Sequence, residues 1–131
     1  MTENEKKVHF LNLYSMVMAD GIAHHNEMAA IYRIGIKNYG LSDEQIRDYI
    51  TGSGVSTVIP ELPEDRVRAL YELAVIAWAD GVLETSERDL LRRYAIKFEV
   101  EDDSVDALTD FLLDEAKQGT DIEEVINKLK E

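Results

Sequence analysis

The sequence contains no cysteine, which excludes disulfides, thiolate metal ligands and a cysteine nucleophile, and suits a reducing compartment. Residues Met1 to Lys7 lack the apolar core and small-residue cleavage site of a signal peptide. No apolar run approaches the roughly 20 residues that a membrane span needs. These absences predict a cytoplasmic protein without direct membrane insertion.

Residues with catalytic chemistry are also scarce. The chain has three histidines, no His-Glu-x-x-His motif, no Gly-rich phosphate loop ending in Gly-Lys-Ser/Thr, and no Glu-x-x-His pair of the di-iron bundles. Few groups are therefore available as general bases or nucleophiles. We expect a protein that is not an enzyme and that has no catalytic residue.

Positive charge is in short supply, because 27 acids outnumber 14 bases and give a formal net charge of -13. A protein that binds nucleic acid must bring lysine and arginine to the phosphates, so nucleic acid and anionic membranes are poor candidate partners. Residues 99–131 hold 12 acids and 3 bases. This excess is explained either by solvated helix faces or by an acidic docking surface for a basic partner or cations.

What the sequence does contain is helical periodicity, in about seven segments and with no convincing strand pattern. A length of 131 residues fits one domain that closes a hydrophobic core without disulfides. The fold class predicted is all-α, as a single-domain bundle over residues 1–131 built from two repeated helical hairpins. Each hairpin would need the other to bury its apolar face.

An internal repeat appears when the sequence is shifted against itself by 60 residues. The shift aligns Ala19-Asp20-Gly21 with Ala79-Asp80-Gly81, Glu27 with Glu87, and Ile36-Lys37 with Ile96-Lys97. We place repeat one at about 4–51 and repeat two at about 62–131, separated by a break rich in glycine and proline.

Helix boundaries follow from terminal signals. We predict that the first helix ends near Asp20, before Gly21, and that the second runs to Gly40. Ser42-x-x-Gln45 and Thr120-x-x-Glu123 have the capping-box pattern of a helix start, and Pro63 is placed as an early helical residue.

Each repeat carries an acid pair at its bend. Asp20 and Asp80 lie at a helix end, where the negative end of the helix dipole disfavours a carboxylate. Glu27 and Glu87 come seven residues later, in the first turn of the next helix, where an acid is favoured. Turn and cap roles explain each bend alone. They explain less well why both pairs persist while the residues between them differ, so we take the four acids as the candidate site.

The spacing also resembles the second half of a calcium-binding EF-hand loop. Met16 and Met18, and Ile76 and Trp78 in the second copy, occupy the first ligand positions and cannot bind calcium. The EF-hand is therefore excluded, whereas another oxygen-rich cation site stays open. His24 and His25 in the first bend are weaker candidates for zinc, with Glu84 in the second, although adjacent side chains seldom reach one ion with good geometry.

At these motifs the sequence resembles the TerB-like family, the helical domains of tellurite-resistance systems, and more distantly the N-terminal region of DjlA-type co-chaperones. The resemblance rests on Met18-Ala19-Asp20-Gly21 with Glu27 and on Trp78-Ala79-Asp80-Gly81 with Glu87. It implies an all-helical bundle without catalytic activity, linked to metal or stress responses, whose repeats bring their acids near one another. The divalent-cation ligands that it implies are Asp20, Glu27, Asp80 and Glu87.

Two functions therefore stand as expectations. In the first, the paired acids bind a divalent cation whose identity the sequence does not give. In the second, the chain is a protein-protein interaction adaptor whose acids are only bend and cap residues, and it presents an apolar patch around Val55, Val58 and Ile59. Both readings include a protein partner, and neither fixes the oligomeric state.

Overall fold

The computed structural model describes residues 1–20, 25–52 and 57–130, without the side chain of Asp20. This part of the chain contains no β-strand and folds into seven α-helices with two 3-10 turns, Met18–Asp20 and Asp102–Ser104, which confirms the all-α prediction. The helices are α1 Glu3–Val17, α2 His25–Tyr39, α3 Asp43–Gly52, α4 Pro63–Ala77, α5 Thr85–Lys97, α6 Val105–Gln118 and α7 Ile122–Lys130.

The chain divides into two compact units, Met1–Val58 and Ile59–Glu131. The division falls inside the glycine- and proline-rich break that the sequence places between the two repeats. Each unit has its own buried apolar residues and is described by itself. A single domain over residues 1–131 remains a prediction.

The first unit packs α1, α2 and α3 against one another. Its centre is built from fully buried side chains of all three helices: Phe10, Leu13, Met16, Ile31 and Ile46. The capping box predicted at the start of α3 is confirmed. The backbone N–H of Ser42 donates to Oε1 of Gln45 at 2.9 Å, and the N–H of Gln45 donates to Oγ of Ser42 at 3.1 Å.

The second unit packs α4, α5 and α6 together and adds α7 along α4. Its large apolar side chains with less than 2% exposure come from these four helices and the C-cap of α5: Leu70, Leu91, Phe98, Leu112 and Val125. Pro63 is the first residue of α4, as predicted, where its missing N–H costs no hydrogen bond.

The predicted capping box at Thr120 and Glu123 is wrong. Thr120 instead donates its hydroxyl to Oε2 of Glu115 at 2.6 Å, and Glu123 accepts from Arg68 at 3.0 Å. Helix α7 begins at Ile122. Thr120 and Glu123 thus bond to Glu115 on α6 and Arg68 on α4 instead of capping α7.

The repeat extends over three helices in each unit, with α1–α3 corresponding to α4–α6. The offset is 60 residues up to Lys37 and Lys97, and it becomes 59 residues from the buried pair Tyr39 and Phe98 onwards. The extra residue lies in the last turn of α2. There the N–H of Gly40 bonds the carbonyl of Ile36, whereas in α5 the tighter bond runs from Glu99 to Ile96.

The helix ends that follow are equivalent despite this difference. Gly40 has φ 64° and Glu99 has φ 69°, so both chains leave the helix through a left-handed residue. Glycine adopts this conformation without strain, and glutamate does not. The second unit therefore carries a strained residue where the first carries glycine.

One buried contact shows how the two copies keep the same packing with different residues. A Cβ added to Gly35 would lie 2.8 Å from Cδ1 of Ile46. At the equivalent positions of the second unit stand Ala95 and Val105, both buried. The second unit has gained a methyl on one helix and lost a methyl on the other, so the total side-chain volume is unchanged.

Candidate functional site

The first bend is described only in part. Glu27 lies in the first turn of α2, as predicted, and is half-buried. His25 is the first residue of α2 and is exposed. The side chain of Asp20 and the whole of His24 lie outside the described residues, so the pairing of Asp20 with Glu27 stays a prediction.

The second bend is described throughout. After α4 the backbone continues in tight turns, with Ala79 N–H donating to the carbonyl of Ile76 at 2.9 Å and Gly81 N–H to the carbonyl of Trp78 at 2.8 Å. Gly81 has φ 78°, a left-handed conformation that favours glycine. Asp80, directly before it, is exposed. The Asp-Gly dipeptide thus forms the turn that ends the helix.

Glu87 occupies the third position of α5, after the N-cap residue Glu84, and its N–H donates to the carbonyl of Glu84 at 3.1 Å. A carboxylate in this first turn is favoured by the positive end of the helix dipole. Glu87 is half-buried, and its Oε2 atom has less than 1 Å² of exposed surface. Its predicted place in the first turn is confirmed, and this place suits a helix-start residue.

The acids of the second bend do not assemble into a metal centre of three or more ligands. Among the described side chains, no group of at least three histidine, aspartate or glutamate residues is arranged to hold an ion. Asp80, Glu84 and Glu87 are all described, so these three do not form such a group. The second bend offers at most two carboxylates to one ion.

Beside this bend lies a cleft of about 450 Å³, lined by both apolar and charged residues, between Trp78, Arg88 and residues of α6. The indole N–H of Trp78 donates to the carbonyl of Leu113 at 2.9 Å, and Lys117 Nζ lies 5.4 Å from the centre of the indole ring. Trp78 is therefore a structural residue that ties the end of α4 to α6.

The acids of the last third of the chain are partly neutralised by cations of the same unit. Arg88 bonds Asp110 at 2.8 Å and Arg92 bonds Asp106 at 2.6 Å, so two ion pairs link α5 to α6. Both aspartates are well exposed, and such pairs contribute little to stability. These contacts favour the interpretation of the acidic excess as solvated helix faces.

An apolar cleft of about 510 Å³ lies between the start of α4 and the end of α7. Its walls are made by Leu62, Pro63, Val67, Ile126 and Leu129. Leu62 is 62% exposed and Leu129 is 40% exposed. Lys130 and Glu64 form an ion pair of 2.6 Å at its edge. Large apolar side chains thus line an open space among the described residues of this unit.

The sequence reasoning missed this cleft, although a signal was present. Leu62 is the N-cap residue of α4, a position where a serine, threonine, aspartate or asparagine is preferred, and it makes no side-chain cap bond. Helix α7 also has its apolar residues at helical spacing, Ile122, Val125, Ile126 and Leu129. Neither feature indicates, from the sequence alone, that the start of α4 lies beside the end of α7.

Helix α7 is anchored by a polar cluster. Glu115, 8% exposed, accepts from Lys128 at 2.8 Å and from Thr120 at 2.6 Å. Tyr71 of α4 donates its hydroxyl to the carbonyl of Thr120. The hydrogen bond from Lys128 is the main cause that lowers the pKa of Glu115, followed by that from Thr120. The cluster fixes the segment that carries one wall of the apolar cleft.

Comparisons of the chain with protein-family models, with curated proteins and with solved structures gave no match. No helix in the described ranges has the length and apolar character required to cross a membrane. The TerB-like resemblance therefore rests on the two acid motifs and the repeat alone.

Proposed function

We propose that this chain is a non-catalytic, TerB-like cytoplasmic module that acts by binding another protein, and that the α4–α7 cleft is a docking site for an amphipathic helix. The observation that carries the proposal is the apolar cleft of about 510 Å³ with two strongly exposed leucines, Leu62 and Leu129, on its walls. Helix-in-groove recognition uses such clefts, which receive apolar residues spaced along one face of the incoming helix.

The chemistry of the cleft fits this occupant. Five of its seven lining residues are apolar, and its charged edge residues, Glu64 and Lys130, already neutralise each other. Burial of Leu62 and Leu129 by a partner would remove apolar surface from water at about 25 cal/mol per Å². The acids of the two bends are, in this proposal, turn and helix-start residues.

Site-specific photo-crosslinking in the cell of origin tests the docking site. A photoreactive amino acid replaces Leu62 or Leu129, and the same replacement at Val8, which is 48% exposed on α1, is the matched control. We expect one protein to be crosslinked from both cleft positions and not from Val8. That protein, purified, should bind the full chain, and Leu129→Lys should abolish binding while leaving the circular dichroism spectrum unchanged.

Equal crosslinking from all three positions would contradict the docking site. So would binding of the purified partner that Leu129→Lys leaves unaffected. A correctly folded Leu129→Lys variant is expected because Leu129 lies near the end of α7 and is 40% exposed.

A second candidate function is the binding of a divalent cation at the bends. It is supported by Asp80 and Glu87, which stand at the two ends of one bend in the order in which Asp20 and Glu27 occur in the first repeat. In this candidate, water molecules complete the coordination of calcium, magnesium or manganese.

Calorimetric titration and thermal melting of metal-stripped protein test the cation site. The ions are calcium, magnesium, manganese and zinc, and the comparison variant carries Asp20→Asn and Asp80→Asn. A ligand that binds only the folded state raises the melting temperature. An increase confined to the unmutated chain would support the cation site. No increase for either protein at millimolar ion would exclude it.

A further inference from the structure

Helix α7 is the part of the second unit that lies outside the repeat, since α1–α3 correspond to α4–α6. It has nine residues. Isolated helices shorter than about 12–15 residues are only marginally stable in water, so α7 depends on its contacts with α4 and α6. Two of its residues, Ile126 and Leu129, form one wall of the α4–α7 cleft. The cleft therefore exists only while α7 is docked.

Ion pairs connect α7 to the two helices beneath it. In the described part of the chain there are three of them: Glu115 with Lys128 at 2.8 Å, Glu64 with Lys130 at 2.6 Å and Glu123 with Arg68 at 3.0 Å. The side chains of Glu64 and Glu123 are 57% and 72% exposed, and exposed pairs contribute little to stability. The side chain of Glu115 is only 10% exposed. Its ion pair is therefore the one that water and salt screen least.

Three side chains contact Glu115, and each comes from outside α6. Its Oε1 atom accepts from Lys128 at 2.8 Å, and its Oε2 atom accepts from the hydroxyl of Thr120 at 2.6 Å. Tyr71 of α4 donates to the backbone carbonyl of Glu115 at 3.3 Å. Burial, followed by the charges of Glu115 and Asp121, raises the pKa of Tyr71, so this hydroxyl stays protonated. Among these contacting groups, only the carboxylate changes its charge as the pH falls.

Docking of α7 and protonation of Glu115 oppose each other. The hydrogen bond from Lys128, followed by that from Thr120, lowers the pKa of Glu115 below its usual 4.5. Lys128 belongs to α7, and Thr120 lies in the turn that leads into it. A carboxyl group with a lowered folded-state pKa contributes stability that is lost as the pH falls through that value. Because both donors move away if α7 detaches, the stability lost is that of α7 docking.

We propose that Glu115 is a latch for α7: protonation of its carboxylate releases α7 from α4 and α6 and removes one wall of the α4–α7 cleft. The other three helices stay folded, because the centre of their packing is made by apolar side chains: Leu70, Leu91, Phe98 and Leu112. The opening is thus local. Loss of a bound partner on release rests on the proposed docking at the cleft, whereas the release of α7 does not.

Hydrogen exchange of backbone amides, followed by nuclear magnetic resonance on the full chain from pH 7 to pH 3, tests the latch without any partner. The amides of Val125 and Ile126 report on α7, and those of Leu91 and Leu112 report on α5 and α6. Protection is corrected for the intrinsic pH dependence of exchange. We expect the protection of the two α7 amides to fall by about tenfold below pH 4.5, as a charge-assisted hydrogen bond is lost. Leu91 and Leu112 should keep their protection.

Two variants assign the effect to the latch. Glu115→Gln keeps the shape of the side chain and removes its charge. At pH 7 it should already lower the protection of Val125 by about tenfold, and acid should lower it less than in the unmutated chain. Asp110→Asn on the same helix is the matched control, because Asp110 also forms an ion pair, of 2.8 Å with Arg88, but is 65% exposed. It should leave the protection of α7 and its pH dependence unchanged.

Three results would overturn the proposal. Loss of protection in α7 at the same pH as in α5 and α6 would indicate acid unfolding of the whole unit instead of a local release. Unchanged protection of Val125 in Glu115→Gln would remove the role of this carboxylate, as would an equal effect of Asp110→Asn. None of these results bears on docking at the cleft, which crosslinking from Leu62 and Leu129 tests separately.

Discussion

The contact between Gly35 and Ile46 gives the sharpest prediction about folding. In Gly35→Ala the new methyl would lie 2.8 Å from Cδ1 of Ile46 and 3.0 Å from Cε1 of Phe10, and neither side chain has exposed surface. Overpacking of this kind typically costs about 1–3 kcal/mol, whereas replacing a helical glycine by alanine gains about 0.5–1 kcal/mol. We expect Gly35→Ala to lower the free energy of unfolding by about 1 kcal/mol.

The second unit indicates the compensating change. Ile46→Val removes the methyl that clashes and installs the residue that stands at the equivalent position, Val105. Alone it should cost about 0.5–1.5 kcal/mol, because it leaves a small cavity. In the double variant the new methyl at position 35 fills that space. The coupling energy between the two substitutions should therefore be about 1–2 kcal/mol and favourable.

Equilibrium urea unfolding followed by far-ultraviolet circular dichroism measures all four proteins of the cycle. Gly52→Ala is the control, because a Cβ there meets no atom of the described residues within 4 Å, so the main change is in helix propensity. It should be slightly stabilising. A Gly35→Ala variant more stable than the unmutated chain would contradict overpacking at this contact, as would effects of Gly35→Ala and Ile46→Val that simply add.

Three further predictions concern the second unit and its helix ends. Glu99→Gly should stabilise by about 0.5–1 kcal/mol in urea unfolding, because it relieves φ 69° at a position where the first unit has Gly40, and a loss of stability would contradict this. Tyr71→Phe should cost about 1 kcal/mol in the same assay, since the carbonyl of Thr120 loses its donor. In Glu115→Gln the melting temperature should decrease less steeply as the pH falls than it does in the unmutated chain. Because the folded-state pKa of Glu115 lies below its usual 4.5, its contribution is complete above that pH and is lost as the pH falls through the lowered value. The same dependence of melting temperature on pH below pH 5 in both proteins would contradict this role of Glu115.

Much of the fold could be predicted from the sequence because the signals were local. Helical spacing of apolar residues, Gly40 and Gly119 after helix ends, and the reciprocal pair Ser42 and Gln45 depend on neighbours within a few residues. The repeat offset of 60 residues likewise identified equivalent positions in the first two helices of each unit. It fails after the additional residue in the last turn of α2, where the offset becomes 59 residues.

The missed features depend on distant residues. Thr120 and Glu123 have the spacing of a cap, but Glu115 and Arg68 are stronger partners, and no local pattern indicates them. The α4–α7 cleft joins residues some 60 positions apart, Leu62 with Ile126 and Leu129. The placement of Glu87 at the start of α5 was predictable, whereas the lack of a three-ligand group with Asp80 and Glu84 required coordinates.

Hydroxyl-radical footprinting of the complex between this chain and the protein crosslinked from the cleft tests whether the partner covers the α4–α7 cleft. The method reports the solvent exposure of individual side chains. We expect Leu62 and Leu129 to become protected. Val8 and Val82, which is 65% exposed beside the second acid pair, should keep their reactivity. Protection of Val82 with full reactivity at Leu62 and Leu129 would contradict docking at the cleft and assign recognition to the acid-bearing bend.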